Sequence, residues 1–197
     1  MATHRNSRSP LVINIARLGR RPGSMMTFNE TVPAPARIGL ELAAIPEGAP
    51  LQLDLRIESV SEGALVTGTM SAPTTGECAR CLKPVTGNVE IDLTELFAYP
   101  DSATEATTDA DEVGHVVNDS VDLEQPIIDA VGMQLPFSPV CREDCPGLCP
   151  ECGAPLADFE NDAEPHGHDV IDPRWAKLAA MKPVEEDRPD PDAGGRE

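Results

Sequence analysis

Two clusters of cysteines constrain this chain more than any other feature. Cys78 and Cys81 form a C-x-x-C pair, and Cys141, Cys145, Cys149 and Cys152 fall within C-R-E-D-C-P-G-L-C-P-E-C-G. Thiols two residues apart on a tight turn converge on one point, which is how small proteins hold a tetrahedral zinc ion. His166 and His168 follow the second cluster in H-G-H-D. Six cysteines and two histidines make eight candidate ligands, enough for one or two four-coordinate zinc ions.

Three arrangements are open. Cys78 and Cys81 can join Cys149 and Cys152, leaving Cys141, Cys145, His166 and His168 for a second ion. They can instead join Cys141 and Cys145, leaving a site of Cys149, Cys152, His166 and His168. Or one full site forms and the remaining cysteines stay free. The knuckle pattern is clearest at Cys149 and Cys152 and loosest at Cys141 and Cys145, which stand three residues apart. His166 and His168 also admit the plainer reading of surface-loop histidines. His4 and His115 are read only as solvent-exposed.

The cysteines matter because the chain has little else to build a large core from. Of 197 residues 40% are hydrophobic but only 3% aromatic, with 20 Pro and 15 Gly. A small aliphatic core of this kind gains from a staple. No run approaches the roughly 20 apolar residues that span a bilayer, and LVINIA is too short for a signal-peptide core. The chain is read as cytoplasmic, where clustered thiols bind metal or do redox work rather than form structural disulfides.

The net charge of -19 is unevenly spread. The first 29 residues hold five arginines and no acid, whereas residues 101–124 hold eight acids and no Lys or Arg. Such a balance repels nucleic acid overall and leaves a basic N-terminal arm.

Period-two alternation marks the clearest strand, LQLDLRIE, with Leu51, Leu53, Leu55 and Ile57 on one face. The alternation fails at Ser59 and Val60, and Ser61-Glu62-Gly63 reads as a turn into a returning strand, ALVTGTMSA. A third strand follows in VTGNVEIDLTELF, so the first cysteine pair lies on a connection between strands. LVINIARLG reads as a short strand and a turn. Leu123, Ile127, Val131 and Leu135 recur at helical spacing after Asp122, a candidate N-cap, and Pro136 ends that helix. Asp172 and Pro173 begin a second helix, DPRWAKLAAM. The expected fold is α+β: an antiparallel β-rich domain over 10–99, a flexible acidic loop over 100–119, a helix plus cysteine-rich metal-binding region over 120–182, and a disordered acidic tail over 183–197.

Catalysis finds little support in these residues. A thioredoxin-like C-x-x-C stands where a strand enters a helix, whereas C-A-R-C-L-K-P runs through Pro84 into a strand. H-G-H-D lacks the further histidines of a metallohydrolase motif. No Gly-rich phosphate loop, G-x-S-x-G elbow or paired-carboxylate framework is present.

The chain resembles the YceD-type large ribosomal RNA subunit accumulation proteins. The matching stretches, in order over roughly residues 10–180, are LVINIARLG, EGALVTGTMSA, GECARCL, ELFAYP, VDLEQPIIDAV, LPFSPVC, C-P-G-L-C-P-E-C-G and DPRWAKL. The resemblance implies a non-enzymatic, metal-binding and nucleic-acid-binding factor for accumulation or maturation of the large-subunit (23S) ribosomal RNA. Many relatives carry C-x-C where this chain has His166 and His168, a swap that zinc tolerates. The expected partners are ribosomal RNA, a basic ribosomal protein, or both, with no membrane and no small-molecule substrate. Arg17, Arg20, Arg21, Arg80 and Lys83 are the candidate RNA-phosphate contacts, although any one of them also reads as an ordinary solvated cation. The scarcity of aromatics disfavours base stacking, and the acidic segments favour a basic protein. The competing classes are a zinc hydrolase or thiol oxidoreductase, and a structural interaction module unrelated to ribosomes.

Overall fold

A computed structural model describes residues 9–100, 102–104, 113–160 and 166–168. One compact unit runs to Leu148 and a second begins at Cys149. The expected helix from Asp172 and the acidic tail over 183–197 lie outside the described residues.

The first unit is built on strands β1 (Val12–Asn14), β2 (Met25–Pro33), β3 (Ile38–Gly39), β4 (Ala43–Ile45), β5 (Pro50–Ser59), β6 (Gly63–Glu77), β7 (Pro84–Ala98), β8 (Gly114–His115) and β9 (Ser120–Asp122), with helix α1 (Glu124–Gln134). Strands β2, β5, β6 and β7 lie side by side and antiparallel. Strand β4, followed by β3, pairs with β6 beyond the end of β5. Strand β8 adds in parallel at Phe97 and Ala98 of β7, and β1 pairs with β9 separately. Antiparallel pairing over these lengths follows from the short turns, which cannot make a parallel crossover.

Burial follows the alternation in β5, where Leu51, Leu53, Leu55 and Ile57 are all buried. Val89, Ile91 and Leu93 of β7 face the same interior as Val66, Met70 and Ala72 of β6. The break in pattern at Ser59 is an exchange of core contact for a polar pair. Ser59 is the one buried polar residue among those described, and its hydroxyl lies 2.9 Å from the Tyr99 hydroxyl. A buried hydroxyl without such a partner would be destabilising.

Helix α1 lays Ile127 and Val131 onto the sheet, with Leu123 and Leu135 buried at its two ends. Asp122 caps one residue earlier than a standard N-cap, since the Glu124 N–H donates to its Oδ1 at 3.0 Å. Pro126 is tolerated because the first-turn N–H groups have no helical acceptor. Leu135 turns extended, at φ -73° and ψ 141°, as the residue before Pro136 must.

The segment expected as a flexible acidic loop over 100–119 supplies β8 at its C-terminal side. The first unit continues through Leu148, since α1 packs on the main core and Cys145 on the buried cysteines of the hairpin tip. Among the described residues no helix is long and apolar enough to cross a membrane.

Gly68 takes φ +145° in the middle of β6, where a Cβ would collide with the carbonyl oxygen of Asp54 on β5. Only glycine lets the two backbones approach there. Gly68→Ala should therefore destabilise the first unit by about 2–4 kcal/mol, read as a lower urea midpoint, and an unchanged midpoint would contradict this account.

Candidate metal centre

The β6–β7 hairpin ends in a tight loop, Cys78–Lys83. The Leu82 N–H donates to the Cys78 carbonyl and the Cys78 N–H to that of Lys83. Leu82 takes φ 60°, a left-handed conformation that closes the turn. The segment after α1 returns to this loop, and the Ala79 N–H donates to the Pro139 carbonyl at 2.8 Å.

Cys78, Cys81, Cys141 and Cys145 converge here, with all four sulfurs within 4.8 Å of one another. Cys78 and Cys145 sulfurs are 3.8 Å apart and those of Cys81 and Cys141 3.6 Å. A tetrahedral site with metal–sulfur bonds of about 2.3 Å has sulfur–sulfur edges of about 3.8 Å. All six cysteines of the chain are free thiols, so this cluster is not a pair of disulfides. Val85, Val140 and Leu148 pack around it as an apolar shell separate from the main core.

The backbone prepares these sulfurs for negative charge. Burial pushes the Cys78 thiol up, but the backbone N–H groups of Cys141, Arg80 and Cys81 outweigh it and bring it to about 6. Burial pushes Cys145 up as well, against the N–H of Gly147. Cys141 is pushed up to about 12, first by the neighbouring Cys145 thiol and then by Cys81. Four thiols around one point cannot all lose their protons unless a cation offsets the charge. That donor set could hold a metal ion.

The second unit holds a separate cluster of Cys149, Cys152, His166 and His168, again with ligand atoms within 4.8 Å. The Gly153 N–H donates to the Cys149 carbonyl, closing the C-P-E-C turn. The N–H groups of Cys152 and Glu151 lower the Cys149 thiol. Cys152 sulfur lies 3.4 Å from His166 Nε2, and His166 and His168 Nε2 atoms are 3.1 Å apart. Phe159, in the short turn Leu156–Phe159, stacks on His166 at 4.3 Å between ring centroids. These four side chains could also hold a metal ion, in a more exposed setting than the first cluster.

Of the three arrangements open to the sequence, the eight side chains group as the second. The three-residue gap between Cys141 and Cys145 is no obstacle, because Cys145 makes its own turn with Gly147 while Cys141 arrives singly. Sequence reasoning missed Gly147 and Phe159. Gly147 takes φ +82°, and a Cβ would press on the Arg80 carbonyl at 3.1 Å. Its place in C-P-G was the available signal.

The five candidate RNA contacts do not form one patch. Arg17, Arg20 and Arg21 are exposed in the loop after β1, and the Arg20 guanidinium sits 5.2 Å over the Tyr99 ring, next to the Ala98 end of β7. Arg80 and Lys83 stand at the opposite end of the same hairpin. Its 15 residues per strand span up to about 45 Å at the usual strand rise. Arg80 has a second engagement, since its Nη1 donates to the carbonyls of Cys145 at 3.0 Å and Glu143 at 3.3 Å.

The fold and clusters define a small α+β protein clasped by thiols. The family model for the large ribosomal RNA subunit accumulation protein YceD matches residues 66–182, more than half of the chain, and the chain belongs to that family. It is 67% identical over 184 residues to an uncharacterized protein of Mycobacterium tuberculosis, covering 93% of this chain and 86% of the relative. The same figures hold for one from Mycobacterium bovis. A relative from Mycobacterium leprae is 58% identical over 182 residues, covering 92% of this chain and 82% of its own. No solved structure matches the chain.

Arg80→Ala removes both carbonyl bonds without touching a ligand. It should speed metal loss to a chromogenic chelator several-fold from the first cluster only, because a support that orients a ligand commonly changes affinity about 10-fold or more. Release kinetics identical to the parent chain would show that the clasp does not depend on it.

Proposed function

We propose that this protein is a non-enzymatic factor that supports accumulation and maturation of large-subunit ribosomal RNA in the cytoplasm. It would act as a zinc-stabilised scaffold that binds ribosomal RNA, a basic ribosomal protein, or both. The single observation that carries this reading is the family match over residues 66–182, a range that includes all six cysteines and the candidate ligands His166 and His168.

Zinc is the ion that best suits the donors. Four thiolates, or two thiolates and two imidazoles, in closed tetrahedral sets are structural zinc ligands, whereas calcium and magnesium take oxygen. Neither set leaves an open position of the kind a catalytic zinc needs for water, which favours a scaffold over a hydrolase.

The surface supports a protein partner with modest RNA contact. The outward residues of the sheet include Asp54, Arg56, Thr67, Thr69, Glu90 and Asp92. RNA-binding sheets place aromatics at such positions for stacking. Arg56, the cation among them, is paired with Glu58 at 3.0 Å. Arg17, Arg20 and Arg21 therefore remain the best candidates for phosphate contact.

Elemental analysis of protein purified without chelator or added metal should give two zinc ions per chain. Cys145→Ser and Cys149→Ser should each lower this to one. Two ions retained in either variant would reject the grouping. The functional test is sedimentation of cell extracts: the protein should travel with large-subunit precursor particles, and its depletion should lower mature 23S relative to 16S RNA. A protein confined to the top of the gradient, with RNA ratios unaltered by depletion, would overturn the ribosomal reading. In RNA binding, replacing Arg17, Arg20 and Arg21 together with Ala should reduce the slope of log affinity against log salt by about 2. An unchanged slope removes the arm as the phosphate contact.

A further inference from the structure

A groove of about 440 Å³ runs between the outer half of the β6–β7 hairpin and the extended segment after α1. We infer that this groove is a docking site for an extended, basic and partly apolar segment of a protein, and that the Cys78, Cys81, Cys141 and Cys145 cluster holds it open to a fixed width. The inference rests on the protein-partner arm of the function proposed above and names the surface that would serve it.

Three observations carry it. The first is the wall chemistry. Gly76, Val85, Gly87 and Val89 line one side and Leu135 and Pro136 the other, and Glu90 is the charged residue among the lining. With a net charge of -19 on the chain, a cationic segment is the complement. The second is the exposure of large apolar side chains beside it. Phe137, which stands between the lining residues Pro136 and Ser138, is 79% exposed, and Met133 is 83% exposed. Among the described residues these are the two most exposed large apolar side chains, and each is next in sequence to a residue that lines the groove. The third is the strand edge. Strand β7 pairs with β6 along its whole length, but on its other side β8 meets only Phe97 and Ala98. From Pro84 to Leu96 that edge carries no strand among the described residues. An extended peptide can add to it by main-chain hydrogen bonds while its side chains enter the groove.

The metal ligands explain why the groove has a defined width. One wall runs directly into Cys78 and Cys81, the other directly into Cys141. The Ala79 to Pro139 hydrogen bond joins them just before the sulfurs meet. Separating the sulfurs would let the walls part.

The test uses the metal-loaded full chain and the RNA-free protein fraction of purified large ribosomal subunits as probe. The parent chain should retain at least one basic protein from this mixture. Phe137→Asp and Glu90→Lys should each cut that retention about tenfold, with metal content and melting temperature unchanged. A photo-reactive group at position 137 should cross-link to the same basic protein. Retention that survives both substitutions overturns the proposal. So does a cross-link to RNA, to a second copy, or to the chain's own residues beyond 168. If nothing is retained yet the protein still sediments with precursor particles, the groove inference falls and the ribosomal reading stands. If neither occurs, both fall.

Discussion

The convergence of four sulfurs at the tip of the β6–β7 hairpin organises the first unit beyond its apolar core. Cys78 and Cys145 are 67 positions apart in sequence, and Cys81 and Cys141 are 60. Closing loops of that length costs entropy that grows slowly with length, and the local apolar shell is small. Among the described residues, Val85, Val140 and Leu148 are the hydrophobic side chains that pack on the buried cysteines there. The backbone does the preparatory part, aiming N–H groups at Cys78 and Cys145. A cation would do the rest by cancelling the repulsion between thiolates, and metal binding would then be part of the folding free energy of this end. The rest of the unit needs no such help, because the interior from Leu51 to Leu93 is a continuous aliphatic core.

That division of labour bears on how a member of this family could act. One end of the long hairpin is tied to the core through Phe97 and Ala98, and the other to the cluster. Between them the sheet presents threonines, acids and the Glu58-paired Arg56 to solvent, and the candidate phosphate contacts stand at the two ends. The proposal of a basic protein partner rests on this surface, which is acidic and poor in stacking side chains. Four of the five candidate basic residues also differ in their surroundings. Arg20 lies over Tyr99 and Arg80 holds the carbonyls of the cluster, while Arg17 and Arg21 stand exposed.

The strands with strict alternation were legible because their inward residues are apolar and their outward residues polar, as in β5. Strand β2 was not. Its inward positions in M-M-T-F-N-E-T-V-P are Met26, Phe28, Glu30 and Val32, and an acid in that row spoils the period. As an edge strand it is only half-buried, so Glu30 keeps its water. Strands β3, β4, β8 and β9 span two or three residues and have no period to read. They exist because a neighbour offers hydrogen bonds, which is a tertiary fact. Ser59 looked like the end of a strand, yet it keeps its inward place because Tyr99, 40 residues away, supplies a partner.

By itself, the sequence determined that this chain makes an antiparallel sheet with a helix after Asp122, and that its cysteines and two histidines suit metal. Periodicity and ligand chemistry are local properties, carried by residues a few positions apart. Which cysteine shares a site with which was decided only by tertiary structure, because spacing within each cluster allows several pairings. Helix α1 brings Pro139 and Cys141 back to the hairpin tip, and Gly147 alone fits against the Arg80 carbonyl. Once those contacts form, Cys145 belongs with Cys78, and Cys149 and Cys152 are left to the histidines.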